Sequence, residues 1–309
     1  MNHEFSDLER LIINYLKDSE VENPETKKLE RVTLIGKPTC EKGEPKTDVY
    51  AQLIDELGKI EELKISVKKD NADFLENKTN AQRAEEILGE NWEQIIEKST
   101  LQLKNEFEGK NLVFFDKYGK TDAGSFTLGW KFEILNKRSG ELSGLIPLTH
   151  SQKLDVFSGI NLPLNKKNAK VNNNEIIDSG VANYILTINN KDINSAEDIM
   201  KNLVKIEDYV DTVDLFFACK ALNYRSLYRK GNHIGKYDGN RPLAVFVNWY
   251  ANNGKLKSNL VFDEPLEHGG DYTYGKLKKT IEELGVENTN DLDESKVESN
   301  YYKEDKKND

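Results

Sequence analysis

Residues Asp48 to Lys68 constrain this chain more tightly than any other stretch, because a turn-forming segment separates two runs that both read as strands. Val49 to Ile54 is mostly apolar and is preceded by Asp48. Asp55-Glu56-Leu57-Gly58-Lys59 follows, and its glycine tolerates the backbone that a tight reversal demands. Beyond it, Leu63, Ile65 and Val67 alternate with Lys64, Ser66 and Lys68, the period of a half-buried strand. A reversal about Leu57-Gly58 sets symmetric positions across from one another, so Asp48 faces the segment Ser66-Val67-Lys68. Side chains alternate between faces, which groups Ser66 and Lys68 on one surface and turns Ile65 and Val67 toward a core.

A carboxylate and an ammonium on one surface suit phosphodiester hydrolysis. That reaction builds negative charge on phosphate oxygens, and Mg²⁺ held by one or two carboxylates stabilises the charge and acidifies the attacking water. Asp48 is the candidate metal ligand, and Lys68 is the candidate group that orients or deprotonates the water.

The run Glu44-Pro45-Lys46-Thr47-Asp48, followed by Ser66-Val67-Lys68, resembles the PD-(D/E)xK nuclease superfamily, type II restriction endonucleases in particular. The resemblance covers roughly residues 44–88. Pro45 and Asp48 stand for the family's Pro-Asp, with Lys46 and Thr47 intervening. Two registers serve the second half: Glu62-Leu63-Lys64 keeps the acid, whereas Ser66-Val67-Lys68 replaces it with serine. The second is preferred, because the first leaves Gly58 inside a strand, where glycine weakens pairing. Some family members carry Ser-x-Lys and take the missing acid from a following helix. Glu76 is the second-acid and metal-ligand candidate here, with Gln82, Glu85 and Glu62 as alternatives.

The resemblance implies an α/β fold, with a restriction-endonuclease-like core of central mixed β-sheet flanked by helices and with added DNA-binding segments. It further implies Mg²⁺-dependent, sequence-specific double-strand cuts within a restriction-modification setting, made by a homodimer matched to a palindromic duplex. Two other readings stand beside it: a structure-selective or nonspecific nuclease of the same superfamily, and a nucleic-acid-binding protein without catalysis.

Length and charge bear on both. The 309 residues suffice for a substantial core, in one elaborated domain or in two. The resemblance favours one nuclease domain over 1–286, with its core at about 1–135, recognition segments at about 160–260 and a mobile acidic tail at 287–309. The net charge of −10 argues against nucleic acid only superficially, because the acids lie apart from the bases. From Cys219 to Ser258 the chain carries Lys220, Arg225, Arg229, Lys230, Lys236, Arg241, Lys255 and Lys257 against Asp238 alone. Asn223, Arg225, Arg229, Lys230, His233, Lys236 and Arg241 are the candidate DNA contacts, since Arg and Asn pair bidentately with bases and Lys suits phosphates.

Several classes drop out. No apolar stretch approaches the ~20 residues of a membrane span, and Met1 to Asp7 lacks a signal-peptide pattern, so a cytoplasmic protein is expected. Cys40 and Cys219 stand alone, and His3, His150, His233 and His268 are scattered, so neither a disulfide framework nor a zinc site is expected. No Walker loop or GxGxxG suggests a nucleotide cofactor.

The remaining elements follow from periodicity. Helices are expected from Ser6 or Asp7 to Leu16, over about Thr79 to Leu88 and Asn91 to Phe107, over Ser195 to Tyr209, and as a buried helix over Asp211 to Tyr228. Another is expected over Tyr272 to Leu284. Strands are expected at Val32 to Ile35, Asn111 to Phe115, Ser125 to Leu135, Ala182 to Ile188 and Leu243 to Tyr250, with an exposed loop over Asn161 to Asn174.

Overall fold

The computed structural model describes residues 7–68, 74–77, 79–188, 192–229 and 232–304, with the backbone alone at 74, 228, 229 and 232–234. Where one elaborated domain was expected, the chain divides into two compact units, each made of two separate stretches. The first joins Met1–Asp73 to Pro147–Asp214, and the second joins Phe74–Ile146 to Leu215–Asp309. Among the described residues, no helix is long and apolar enough to cross a membrane.

The first unit is a mixed sheet with helices. Helix α1, Asp7–Leu16, presents Leu8, Ile12 and Leu16 at helical spacing, and all three are buried. Strands β1 (Glu20–Glu22), β2 (Leu29–Gly36), β3 (Val49–Ile54) and β4 (Ile60–Lys68) then run antiparallel in sequence order. Strand Tyr184–Thr187 joins the far side of β4 in parallel, and Leu203–Lys205 closes the sheet antiparallel to it. The expected hairpin is present: Gly58 takes φ +83 in the turn, and Val49 pairs with Ile65, Ala51 with Leu63. Val49, Ala51, Leu53, Leu63 and Ile65 pack with the α1 side chains in one apolar cluster, so the odd positions of both strands form the core face. Burying this face is the main source of stability in the unit, since truncating a buried Leu or Ile costs about 2–5 kcal/mol.

The helix expected over Ser195 to Tyr209 is interrupted. Ser195 caps it as anticipated, accepting from the Asp198 amide at 3.1 Å, but it ends at Lys201. Leu203–Lys205 then pairs with Tyr184–Leu186 before a short helix at Ile206–Tyr209, so an open sheet edge outweighs helical periodicity. Likewise, the 161–174 stretch holds a helical turn at Leu164–Lys167 and a two-residue ladder between Lys170–Val171 and Asn174–Glu175.

In the second unit, strand Ser125–Leu135 appears as expected and is the spine of a sheet. Its neighbour corrects an expectation: Phe216–Arg229 is a fourteen-residue strand, not a buried helix. An unbroken apolar run is compatible with either state, and here pairing along Ser125–Leu135 decides it, with Phe217 stacked on Phe132 at 5.4 Å. The expected 91–107 helix breaks into Trp92–Leu101 and Lys104–Glu108. The tail is also packed where it was expected to be mobile. Leu292 and Val297 are buried, and Tyr301–Tyr302 pairs in parallel with Val113–Phe114; 305–309 lie outside the described residues.

One contact ties the 159–182 connector to the start of β3. The Gly180 carbonyl accepts from the Lys46 amide at 3.0 Å and from the Thr47 amide at 3.3 Å, while its own amide donates to Lys167 at 2.7 Å. A Cβ on Gly180 would stand 1.9 Å from the Lys166 carbonyl oxygen, so only glycine fits. Gly180→Ala is therefore expected to lower stability in urea by about 1–3 kcal/mol; an unchanged midpoint would contradict the contact.

Candidate active site

Asp48 stands one residue before β3, so continuing the register past the Val49–Ile65 pair places it across from Ser66. Its amide donates to the Ile65 carbonyl at 2.8 Å, and its carboxylate Oδ2 accepts the Val67 amide at 2.7 Å. A side-chain acceptor thus takes a bond that the strand ladder would otherwise make. The carboxyl is fixed at the Val67 amide, within the segment that the hairpin symmetry sets across from Asp48. Lys68 is the last residue of β4 and pairs with Thr187 on the parallel strand.

The charges around Asp48 are mixed. Burial pushes its carboxyl above the usual carboxylate range, the most important influence, and the nearby charge of Glu9 pushes it the same way. Lys68, the Val67 amide and Lys37 oppose the shift. Glu9 lies in the first turn of α1 and meets Lys37 in an ion pair of 2.6 Å, with side chains only 12% and 16% exposed. Two carboxylates and two ammonium groups therefore act on one point. Neither Glu9 nor Lys37 was singled out in the sequence. The available signal was an acid beside Leu8 and Ile12 on an otherwise amphipathic helix.

Two hydroxyls at this point lack partners. Ser66 is fully buried, Thr47 is 1% exposed, and neither Oγ of Ser66 nor Oγ1 of Thr47 has a hydrogen-bond partner. Asp48 also lines a pocket of about 50 Å³ with Lys37, Cys40, Glu44 and Thr47. That exceeds the roughly 10–15 Å³ one water requires. Oxygen ligands, carboxylate charge and this room suit a hard cation such as Mg²⁺, with Asp48, which lines the pocket, and Glu9, whose charge acts on Asp48, as the candidate ligands.

Glu62 and Lys64, the alternative register, lie opposite Gln52 and Tyr50, and Glu62 is held by the Tyr50 hydroxyl and by Lys64 at 3.7 Å. Glu76 belongs to the second unit, where it pairs with Arg83 at 2.9 Å. Gln82 donates to Glu86 at 3.1 Å on the same helix as Glu85. The carboxylate whose charge acts on Asp48 is thus Glu9, in the first unit.

The basic segment lies in the second unit as a strand hairpin, Phe216–Arg229 with Asn232–Lys236. Asn223 accepts from Thr127 at 3.1 Å and donates to Thr121 at 3.5 Å, while Arg225 pairs with Asp122. Lys236 is exposed and Arg241 half-buried. Arg229 and His233 lie on strands with side chains outside the description, and Lys230 lies outside the described residues. A separate group, Glu264, Glu267 and His268, has ligand atoms within 4.8 Å of one another in this unit.

Two expected outcomes separate a working site from a packing detail. Ser66→Ala removes an unpartnered buried hydroxyl and should stabilise the protein by about 1 kcal/mol in urea; a loss of stability would mean that the hydroxyl is bonded. Asp48→Asn keeps an acceptor for Val67 and removes a desolvated charge. Because the folded carboxyl titrates above its unfolded value, ionisation opposes folding. The variant should therefore melt higher than the native protein at pH 8, with the gap closing as pH falls through the carboxylate range. A gap that widens on acidification would overturn this. Comparison with known protein families, characterised proteins and solved structures finds no match to the chain.

Proposed function

We propose that the protein is a Mg²⁺-dependent endodeoxyribonuclease with its active site at Asp48 in the first unit. The observation that carries this is the carboxylate of Asp48 held by the Val67 amide between Ser66 and Lys68, with Glu9 and Lys37 acting on it. The mixed sheet, with a parallel strand added beside β4, supports the restriction-endonuclease-like core that the resemblance implies.

Asp48 and Glu9 would hold the metal, which when bound acidifies water and neutralises charge on the phosphate. Lys68 orients the water that attacks phosphorus and offsets the charge growing on the nonbridging oxygens. The attacking water gives up its proton to solvent, the P–O bond to one sugar breaks as the new one forms, and the sugar oxygen leaves with a proton from solvent. Lys37 pairs with Glu9 and offsets its charge beside Asp48. In its specific form the reading is a type II restriction enzyme acting as a homodimer on duplex DNA. From the second unit, Lys236 and Arg241 offer phosphate contacts.

Digestion of a long unmethylated duplex with Mg²⁺ and with EDTA tests the reading. Discrete Mg²⁺-dependent fragments are expected, a smear would indicate a nonspecific nuclease, and intact DNA would overturn nuclease activity. Lys68→Ala should lower cutting at least 100-fold while leaving binding intact, whereas Lys64→Ala should cut within about threefold of native. Glu9→Gln should raise the Mg²⁺ concentration needed for half-maximal cutting by about tenfold or more. Equal effects of Lys64→Ala and Lys68→Ala would contradict the register.

A further inference from the structure

The first unit holds a cavity of about 650 Å³ that shares no residue with the pocket at Asp48. Two of its walls are sheet edges. β1 ends the six-stranded sheet on one side and Leu203–Lys205 ends it on the other, so each has a single strand neighbour. All three residues of both strands line the cavity. Successive side chains of a strand point to opposite faces, so a cavity lying over one face would meet alternate residues only. This one therefore looks onto the strand edges, where an edge strand presents unpaired N–H and C=O groups.

Apolar and charged groups share the lining. Val21, Tyr184 and Met200 are buried, whereas Val204 and Leu29 are 43% and 69% exposed. Among the charges, Glu20, Glu22, Glu197 and Asp208 stand with Lys27, Lys201 and Lys205. Two of these lysines are already paired, Lys201 with Glu197 at 2.6 Å and Lys205 with Glu25 at 2.9 Å. Glu22 and Asp208 add to the charge felt at Lys201 and Lys205 without bonding them. Glu20, Glu22 and Asp208 make no ion pair among the described residues, and Lys27 alone remains to offset them. The uncompensated charge of the cavity is negative.

We propose that this cavity binds an extended peptide segment of a partner protein, with alternating basic and aliphatic side chains, which adds a strand beside β1. The edge itself dictates the alternation. Glu20 and Glu22 are exposed on one face of β1 and Val21 is buried on the other. A strand laid against this edge sets its own residues across from them, so ammonium or guanidinium groups meet the two glutamates and an aliphatic side chain meets Val21. Backbone hydrogen bonds to the open edge supply affinity, and the alternating side chains supply selectivity. Asp208 and Val204 offer the same two chemistries from the opposite wall. The site does not depend on whether the chain cuts DNA.

The test uses the full native chain and a fluorescein-labelled hexapeptide of alternating lysine and valine, with binding followed by fluorescence anisotropy. Saturable binding is expected, and Glu20→Lys with Glu22→Lys should weaken it at least tenfold, since like charges then face each other. Both glutamates are exposed, so the variant keeps the native melting temperature within about 2 °C. Glu93→Lys with Glu283→Lys makes the same charge change on surface helices of the second unit and should alter binding less than about threefold. The hexapeptide N-methylated at every residue should not bind, because it has no N–H to give the edge. Absence of binding by the basic peptide, or equal binding by the N-methylated peptide or by one of alternating glutamate and valine, would overturn the proposal. A native chain that sediments as a dimer, dissociated by the Glu20/Glu22 double substitution, would assign the edge to a second copy and overturn it too. Loss of peptide binding with DNA cutting intact would separate this site from the one at Asp48.

Discussion

The Val67 amide bonded to the Asp48 carboxylate is the interaction on which the rest of the site depends. It ends the regular β3–β4 ladder by substituting a side-chain acceptor for a backbone one, and so fixes the carboxyl where burial works against its charge. Carboxylates are seldom left in such surroundings without compensation. Here compensation comes from Lys68 on the same hairpin and from Lys37 at the end of β2, while Glu9 adds a second negative charge from α1. A cluster of this kind costs stability, and it is the ground on which the active site is proposed here.

The hairpin was legible because strand period and turn chemistry agree. Asp48, Ser66 and Lys68 could be placed by counting outward from Gly58, since a pairing register leaves no freedom once the turn is fixed. Glu9 was not legible. Its charge reaches Asp48 through the packing of α1 on the sheet, a tertiary relation that no local spacing encodes. Glu76, the second acid expected from the resemblance, pairs with Arg83 in the second unit.

Where helix and strand compete for the same apolar run, the sequence misled for a definite reason. Phe216–Arg229 and Leu203–Lys205 are strands because each finds a neighbouring strand with unsatisfied backbone groups. That partner is remote in sequence, and local periodicity is silent about it. The same limit hid the two-unit organisation, since each unit is assembled from stretches separated by the other. The tail misled through composition: most acids among its described residues are exposed, yet Leu292, Val297 and the Tyr301–Tyr302 strand anchor it.

Metal occupancy at Asp48 is the most direct test of the account. Mn²⁺ is a fair probe for a hard oxygen site, and its free form can be followed by electron paramagnetic resonance with duplex DNA present. Lys68→Ala protein, unable to cut, would be compared with Lys68→Ala/Asp48→Asn. Glu264, Glu267 and His268 contribute equally to both. The account predicts Mn²⁺ binding that the second substitution removes; identical Mn²⁺ uptake by the two proteins would contradict it.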